Sequence, residues 1–256
     1  MNYKTTSYFT ISKKRKIKYF FLNNKSQVTV VFFHGFMSDM MGAKPTSIQK
    51  FCKKNKINFL KFEYSGHGKS TGTFIGGNIS KWTFDAKKLI KSKIEIEQKL
   101  IFVGSSMGSW IALNLFSTFK KKIIGFIGIS SAPEFLEELM WKKFNKKIKN
   151  TINSKKIHYV ESGGFTYPIT KQLIVNGRKN KVLNKKINLS IPIILFHGLK
   201  DEVVPLKFSK RILFFCKKAK KKLIKIKNGN HSLSRKSDLK KIGNELKSMI
   251  RNSYLI

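Results

Sequence analysis

The sequence predicts an α/β fold built on a mostly parallel, doubly wound sheet. Short β-branched or aromatic runs alternate with longer segments of helical periodicity, and this alternation is typical of parallel sheets with helices on both faces. A length of 256 residues suits one domain with a sizeable core, and neither a repeat nor a linker-like stretch divides it. A hydrophobic content of 41% favours a packed globule over a disordered chain. We therefore expect a single domain over residues 1–256.

The predicted elements follow one another along the chain. Strands 6–11 and 17–22 are close enough in sequence to form an antiparallel pair at the start. The sheet then continues through further runs of strand-like residues at 28–33, 57–62, 99–103, 123–129, 191–196 and 222–227. Helical patterns cover 45–55, 79–97, 107–119, 207–218 and 235–251. The helix from residue 107 has apolar residues on more than one face, so we expect it to be buried.

One interval breaks the alternation of strands and helices. About 60 residues of weak periodicity separate the strand ending near Ile129 from the strand at 191–196, and a loop of that length is seldom structureless in a compact domain. We interpret 134–187 as a small helical cap. It is expected to lie over the carboxyl edge of the sheet, where ligands bind in open α/β sheets.

A nucleophile motif follows the strand at 99–103. The stretch FVGSSMGSW contains Gly-x-Ser-x-Gly, with Ser106 at its centre and Gly104 and Gly108 on either side. In this motif the serine lies on a sharp strand-to-helix turn with strained backbone angles, and a Cβ at either glycine would collide with neighbouring backbone. We therefore predict Ser106 as a nucleophile and expect Ser105 to point back into the packing of the strand.

A serine hydroxyl needs a base, and the base needs an acid to orient it. His231 lies in KNGNHSLS after the last predicted strand, and Asp201 lies in FHGLKDEVVP after the preceding one. The order Ser106, Asp201, His231 is the order of the triad in folds with this elbow. Weaker candidates for the acid lie in or next to predicted helices: Asp39, Asp85 and Asp238. Two further histidines, His67 and His197, are expected to fix turns or strand ends, and His158 has no evident partner.

An oxyanion hole requires two backbone amides aimed at the developing negative charge. One should come from Met107, the residue after the nucleophile. The other should come from Phe36, in the loop HGFM after the strand at 28–33. We further expect an apolar acyl pocket lined by Phe36 and Met107 together with Met37, Trp110, Trp141 and Phe165.

The chain is strongly basic, which bears on its possible partners. The formal net charge is +40, and Lys and Arg together number 53 against 13 Asp and Glu. Such a field attracts polyanions. However, nearly all of these cations are lysines spread along the whole chain, whereas specific nucleic-acid recognition favours arginine. We therefore expect no specific nucleic-acid partner, and at most a weak preference for anionic substrates.

Three features of the sequence bear on the cellular compartment of the protein. The first residues place a basic cluster after an apolar stretch and show no cleavage site, so they do not resemble a secretory signal. No apolar run is long enough to span a bilayer. The two cysteines, Cys52 and Cys216, are far apart in sequence and are expected to be reduced. We therefore expect a cytoplasmic protein.

Several motifs together carry a resemblance to a known family. Through HGFMSDMMG, FEYSGHGKSTG, VGSSMGSW, HGLKDEVVP and GNHS, the chain resembles α/β hydrolases along nearly its whole length. Within them it is most similar to the small serine hydrolases grouped with palmitoyl-protein thioesterases that also cleave acyl glucuronides. This resemblance implies an α/β-hydrolase fold and esterase or thioesterase activity on a small acyl ester or thioester, with no metal and no cofactor. One departure is His34, where such relatives can have proline.

Two alternative functions remain open at this point. The same machinery could cleave peptides, as in serine aminopeptidase-like relatives, with an acidic cap residue holding the substrate amine. Glu134, Glu137 and Glu138 are available for that role. Less favoured is a non-catalytic protein that binds polyanions through its positive charge, because such a protein would not need three catalytic groups in the order of a triad.

Overall fold

The computed structural model describes residues 3–162, 165–184, 187 and 189–253. Eight strands form one sheet: β1 (Tyr3–Ser12), β2 (Arg15–Asn23), β3 (Val28–Phe33), β4 (Asn58–Phe62), β5 (Lys99–Ser105), β6 (Ile123–Ile129), β9 (Pro192–Gly198) and β10 (Lys220–Ile226). Their order in the sheet is β1-β2-β4-β3-β5-β6-β9-β10. From β4 to β10 all neighbouring strands are parallel, while β1 and β2 are antiparallel and join the sheet at β4.

Helices cover both faces of this sheet. In chain order, the α-helices of the described residues are α1 (Ala43–Lys54), α2 (Ile79–Lys93), α3 (Met107–Asn114), α4 (Lys146–Lys155), α5 (Lys171–Lys179), α6 (Lys207–Phe215) and α7 (Lys236–Ser253). All but α4 and α5 flank the sheet. One face packs on α1 and α7 through residues such as Ile48 and Leu246. The other packs on α2, α3 and α6 through residues such as Trp82, Trp110 and Phe208. This is the doubly wound α/β architecture that the sequence predicts, and its central strand β3 (VTVVFF) is buried along its whole length.

The interval between β6 and β9 forms a separate layer that contacts the first turns of α2 and α3 and the loop after β3, at the carboxyl edge of the sheet. It begins with a π-helical turn (Leu136–Met140) and a 3₁₀ turn (Trp141–Lys143), followed by α4. Two antiparallel strands come next, β7 (Ile157–Ser162) and β8 (Phe165–Thr170), and α5 then completes the layer. We call this layer the cap. It contains helices, as the sequence predicts, and also a β-hairpin that the sequence analysis did not predict.

The boundaries of several helices differ from the predicted ones. The helix predicted over 79–97 ends at Lys93, because Ile94 takes an extended conformation. The helix predicted over 107–119 ends at Asn114, and the chain continues in turns that bury Leu115, Phe116 and Phe119. Cys216 lies just beyond α6, and both cysteines are buried free thiols. Within the described part of the chain, no helix is long and apolar enough to cross a bilayer.

Candidate active site

Ser106 lies on a sharp turn between β5 and α3. Its backbone has φ 51° and ψ −119°, a left-handed region that non-glycine residues seldom adopt. The turn is held on the strand side, where the Ser106 amide donates to the Ile129 carbonyl at 2.9 Å. A Cβ on Gly108 would collide with the Phe33 carbonyl, and one on Gly104 would lie 2.5 Å from Ser109 Cα. These contacts explain why the turn needs both glycines.

The two serines of the turn have different surroundings. Ser105 ends β5 and is only 8% exposed, whereas Ser106 is partly exposed. This is the difference that the motif predicts, with only the central serine presented at the sheet edge.

Loops from the last two strands bring His231 and Asp201 to Ser106. His231 Nε2 lies 3.2 Å from Ser106 Oγ, and His231 Nδ1 lies 2.9 Å from Asp201 Oδ2. Because the carboxylate accepts, the proton of a neutral His231 is placed on Nδ1, which leaves Nε2 free to accept the serine proton. The structure therefore brings together the three residues that the sequence singled out from three distant segments.

Asp201 has a fully buried carboxylate that is saturated with hydrogen bonds. Its Oδ1 accepts from the amides of Val203 and Val204 at 3.0 and 2.8 Å, while Oδ2 faces His231. Burial acts to raise the pKa of Asp201. The hydrogen bond and charge of His231, together with the two amides, outweigh burial and hold this pKa below its ordinary value. Asp201 therefore stays ionised at neutral pH.

His197 supports the loop that carries Asp201. It is buried at the end of β9, with Nε2 3.0 Å from the Val204 carbonyl and Nδ1 2.9 Å from Ser209 Oγ. A carbonyl can only accept, so Nε2 carries the proton and Nδ1 accepts from the serine. Burial lowers the pKa of His197, although the charge of Asp201 opposes this change. A neutral His197 thus ties α6 to the acid loop.

The loop after β3 lies close to Ser106. A Cβ on Gly35 would lie 3.6 Å from Ser106 Cβ, so the backbone of this loop is a direct neighbour of that serine. Among the described residues, neither the amide of Phe36 nor that of Met107 has a hydrogen-bond partner. Met37 has a φ of 48° and is 42% exposed. Both predicted oxyanion donors are therefore unpaired backbone groups adjoining Ser106 in the chain or in space.

An aromatic cluster surrounds the ring of Phe36. Its ring centroid lies 4.9 Å from Phe74, 5.2 Å from Phe135 and 5.9 Å from Tyr167, which stacks nearly parallel to it. Phe135 and Tyr167 come from the cap region and Phe74 from the segment before α2. The sequence analysis did not identify these three residues as neighbours of the site, because no local pattern shows which cap residues face the β3 loop.

The other predicted pocket residues lie in different environments. Trp110 is fully buried, and its indole N–H donates to the Asn180 carbonyl at 2.7 Å, which ties α3 to the cap. Trp141 lies beneath Arg178, whose guanidinium carbon is 4.9 Å from the ring centroid. The side chain of Phe165 lies outside the described residues. A lining role for Trp110, Trp141 and Phe165 stays a prediction.

The weaker candidates for the acid are occupied elsewhere. Asp85 accepts from the Ser65 amide and lies 3.4 Å from Arg15. Asp238 forms two hydrogen bonds of 2.8 Å with the guanidinium of Arg235. Asp39 accepts from the Met41 amide within its own turn. None of them has a hydrogen bond to His231 in the described structure.

The cap carboxylates are also engaged. Glu134 is buried and accepts from the amides of Val182 and Leu183 at 2.9 and 2.7 Å. Glu137 pairs with Arg178 at 2.7 Å, and Glu138 pairs with Lys142 at 2.8 Å. Glu134 thus links the start of the cap to the segment after α5, a role that the sequence analysis did not assign to it.

Comparison with known proteins identifies the family. Residues 24–173 match the Hydrolase_4 family, described as serine aminopeptidase, S33. The mouse mitochondrial palmitoyl-protein thioesterase ABHD10 is 30% identical over 217 residues, which cover 82% of this chain and 71% of the relative.

Solved structures agree with this result. The mouse alpha/beta hydrolase domain-containing protein 10 superposes with a TM-score of 0.86 at 25% identity, covering 97% of this chain and 99% of that one. A hydrolase from Agrobacterium vitis S4 superposes with a TM-score of 0.91 at 25% identity, covering 98% and 99%. The sheet order, the turn at Ser106 and these similarities lead to one conclusion: the chain is a hydrolase that belongs to the serine aminopeptidase S33 family of α/β hydrolases.

Proposed function

We propose that this protein is a serine hydrolase that cleaves carboxylic esters or acyl thioesters through an acyl-enzyme. The observation that carries the proposal is the continuous chain of hydrogen bonds from Ser106 to His231 to Asp201. Each link has the donor and acceptor that the chemistry requires, and the nucleophile lies on a strained turn beside unpaired amides.

In the proposed mechanism, Ser106 Oγ attacks the carbonyl carbon while His231 Nε2 takes its proton. Asp201 holds the Nδ1 proton and stabilises the imidazolium that forms. The negative oxygen of the tetrahedral intermediate is stabilised by the amides of Phe36 and Met107. His231 then protonates the leaving alcohol or thiol. In the second half-reaction it activates a water molecule, which releases the acid from Ser106.

The substrate class follows from the surroundings of Phe36. Its ring lies within about 6 Å of the rings of Phe74, Phe135 and Tyr167, and such aromatic surroundings suit an apolar acyl chain. The name of the curated relative, a palmitoyl-protein thioesterase, agrees with such a substrate. The cytoplasmic location stays a prediction, since that relative is named as mitochondrial.

The aminopeptidase alternative has less support from the cap. A carboxylate that holds a substrate amine must be free to accept from it, whereas Glu134, Glu137 and Glu138 are each bonded within the protein. A substrate amine would therefore compete with these contacts for the same carboxylates. We favour ester or thioester cleavage for this reason.

A covalent probe and a substrate panel test the proposal together. A fluorophosphonate should label the wild-type protein and Ser105→Ala but not Ser106→Ala, because the turn presents only Ser106 to the solvent. Purified protein should hydrolyse p-nitrophenyl esters or acyl thioesters, and Ser106→Ala should not. Equal labelling of Ser106→Ala would refute the assignment of the nucleophile. Cleavage of aminoacyl amides with no cleavage of esters or thioesters would favour the aminopeptidase instead.

A further inference from the structure

A lysine of α1 contacts the loop that carries His231. Lys44 lies in the first turn of α1, and its Nζ donates to the Ser232 carbonyl at 2.5 Å and to Ser234 Oγ at 3.3 Å. Ser232 is the residue directly after His231. The contact joins residues that are 188 positions apart in the chain, so it is a tertiary link and not part of a local turn.

The position of Lys44 is unfavourable for a cation in two ways. The first turn of a helix carries a partial positive charge, which disfavours a second one. The side chain is also partly buried, and burial lowers the pKa of Lys44 to about 8. Packing alone would be served better by an apolar residue of similar length. The hydrogen bonds of the ammonium group are therefore the feature that distinguishes a lysine here.

The loop that carries His231 also contacts the loop that carries Asp201. The Gly229 carbonyl accepts from the Lys200 amide at 2.8 Å, in the segment that leads to Asp201. A Cβ on Gly198 would collide with the same carbonyl, so the two loops lie in close contact. His231 thus lies between a point fixed to the acid loop at Gly229 and a point fixed to α1 at Ser232.

We propose that Lys44 is a positioning residue for His231, whose ammonium group anchors the Ser232 carbonyl and so sets the imidazole in reach of Ser106. The distance from His231 Nε2 to Ser106 Oγ is 3.2 Å, near the upper end for a productive hydrogen bond. A loop released at Ser232 would lengthen it. Lys44 therefore affects proton transfer without contacting substrate.

The test compares three substitutions in α1. Lys44→Met keeps a chain of similar length and removes the ammonium group. We expect it to lower kcat for an ester by about 10- to 100-fold with KM nearly unchanged, as for a displacement of about 1 Å at a reacting group. Lys44→Arg keeps the charge and the donors and should recover most of the lost kcat. Lys50→Met, at an exposed position of the same helix, is the matched control and should change neither constant.

A second measurement does not depend on activity. Amide hydrogen exchange of residues 229–234 should be faster in Lys44→Met than in the wild type or Lys50→Met, because the loop loses its anchor. Thermal unfolding monitored by circular dichroism checks that each variant is folded. If Lys44→Met does not fold, Lys44→Ala, which also has no donor, takes its place with the same criteria.

The inference rests on the proposed function, and the two can fail separately. If the wild type and Ser106→Ala are equally inactive, the proposed function is wrong, and the exchange measurement alone decides whether Lys44 anchors the loop. If the wild type is active and Lys44→Met keeps both its kcat and its slow loop exchange, Lys44 positions nothing. A loss of thermal stability with unchanged kcat would overturn the inference equally.

Discussion

At the scale of single residues, the two carboxylate oxygens of Asp201 have different roles. Oδ1 fixes the acid loop through two amides, and Oδ2 orients His231. Asp201→Asn should keep the first task, because an amide oxygen can still accept from Val203 and Val204. Its NH₂ group would then face His231 and favour the wrong tautomer. We expect kcat for an ester to fall by about 10⁴-fold while the protein stays folded, as measured by steady-state kinetics and circular dichroism.

Asp85→Asn and Asp238→Asn are the controls for this prediction. Both carboxylates are bonded elsewhere, to Ser65 and to Arg235, so kcat should stay within a small factor of the wild type. Near-full activity in Asp201→Asn, combined with loss in either control, would show that the acid is misassigned.

At the scale of elements, a group of buried aromatic and histidine rings supports the loop after β3. His67 is 3% exposed and lies 5.0 Å from His34, 5.1 Å from Phe74 and 4.9 Å from Trp82 between ring centroids. Its Nε2 has no hydrogen-bond partner among the described residues. Burial lowers the pKa of His34 to about 4 and, with the charge of His34, that of His67 to about 2.

These pKa values predict acid lability. In the unfolded chain both histidines titrate near their ordinary value of about 6.5, so between pH 6.5 and 4 the unfolded state binds protons that the folded state does not. The contribution of the two neutral histidines to the free energy of unfolding is complete above about pH 6.5 and is lost progressively as the pH falls below that value. His67→Phe removes one of the two sites. It should reduce the slope of the unfolding free energy against pH by up to about 1.4 kcal/mol per pH unit, measured by urea denaturation.

The wild type provides the comparison at each pH. Groups remote from His67 titrate equally in both proteins, so the difference between the two slopes reports on His67 and on its coupling to His34. Identical slopes for the variant and the wild type over this interval would contradict a buried, neutral His67.

The elements also show what a sequence can predict of this fold. All eight strands of the large sheet and the five helices that flank it were predicted, because buried parallel strands are continuous apolar runs and the helices keep a clear period. The hairpin β7–β8 was missed in a stretch of weak periodicity. The Gly-Gly pair in ESGGFTYP is a signal typical of short hairpin loops, although the proline four residues later argues against a strand.

The residues of the candidate site also differ in whether the sequence could predict their positions. Ser106, Asp201 and His231 could be located because each follows a strand and the fold brings strand ends to one edge. The apolar lining could not, because it depends on how the cap packs on the β3 loop. Trp110 is one example: its place in α3 was evident from the sequence, whereas its burial under Asn180 depends on contacts between residues 70 positions apart.

At the scale of the whole molecule, the charge of +40 predicts an effect of salt on substrate capture. Lysines spread over the surface should raise the association rate of an anionic acyl substrate, and salt screens this field over about 8 Å at physiological ionic strength. We expect kcat/KM for an anionic ester to fall about tenfold or more as salt rises, with kcat nearly flat. The measurement is a salt series of initial rates.

A neutral ester of similar size is the matched substrate, and its kcat/KM should hardly change. The competing function, docking on nucleic acid, predicts tight polyanion binding that survives physiological salt. Such binding, found together with negligible hydrolysis of every ester and thioester, would overturn the enzyme assignment.

The distance along the chain between Ser106 and its base has a consequence for synthesis. The two residues are 125 positions apart, and His231 follows β10 in the chain. Under the proposed mechanism, a growing chain carries Ser106 long before His231 has been synthesised, so it cannot hydrolyse an ester until then. We expect hydrolysis during cell-free translation to begin only when the loop after β10 is in place, so its onset would time the completion of the fold.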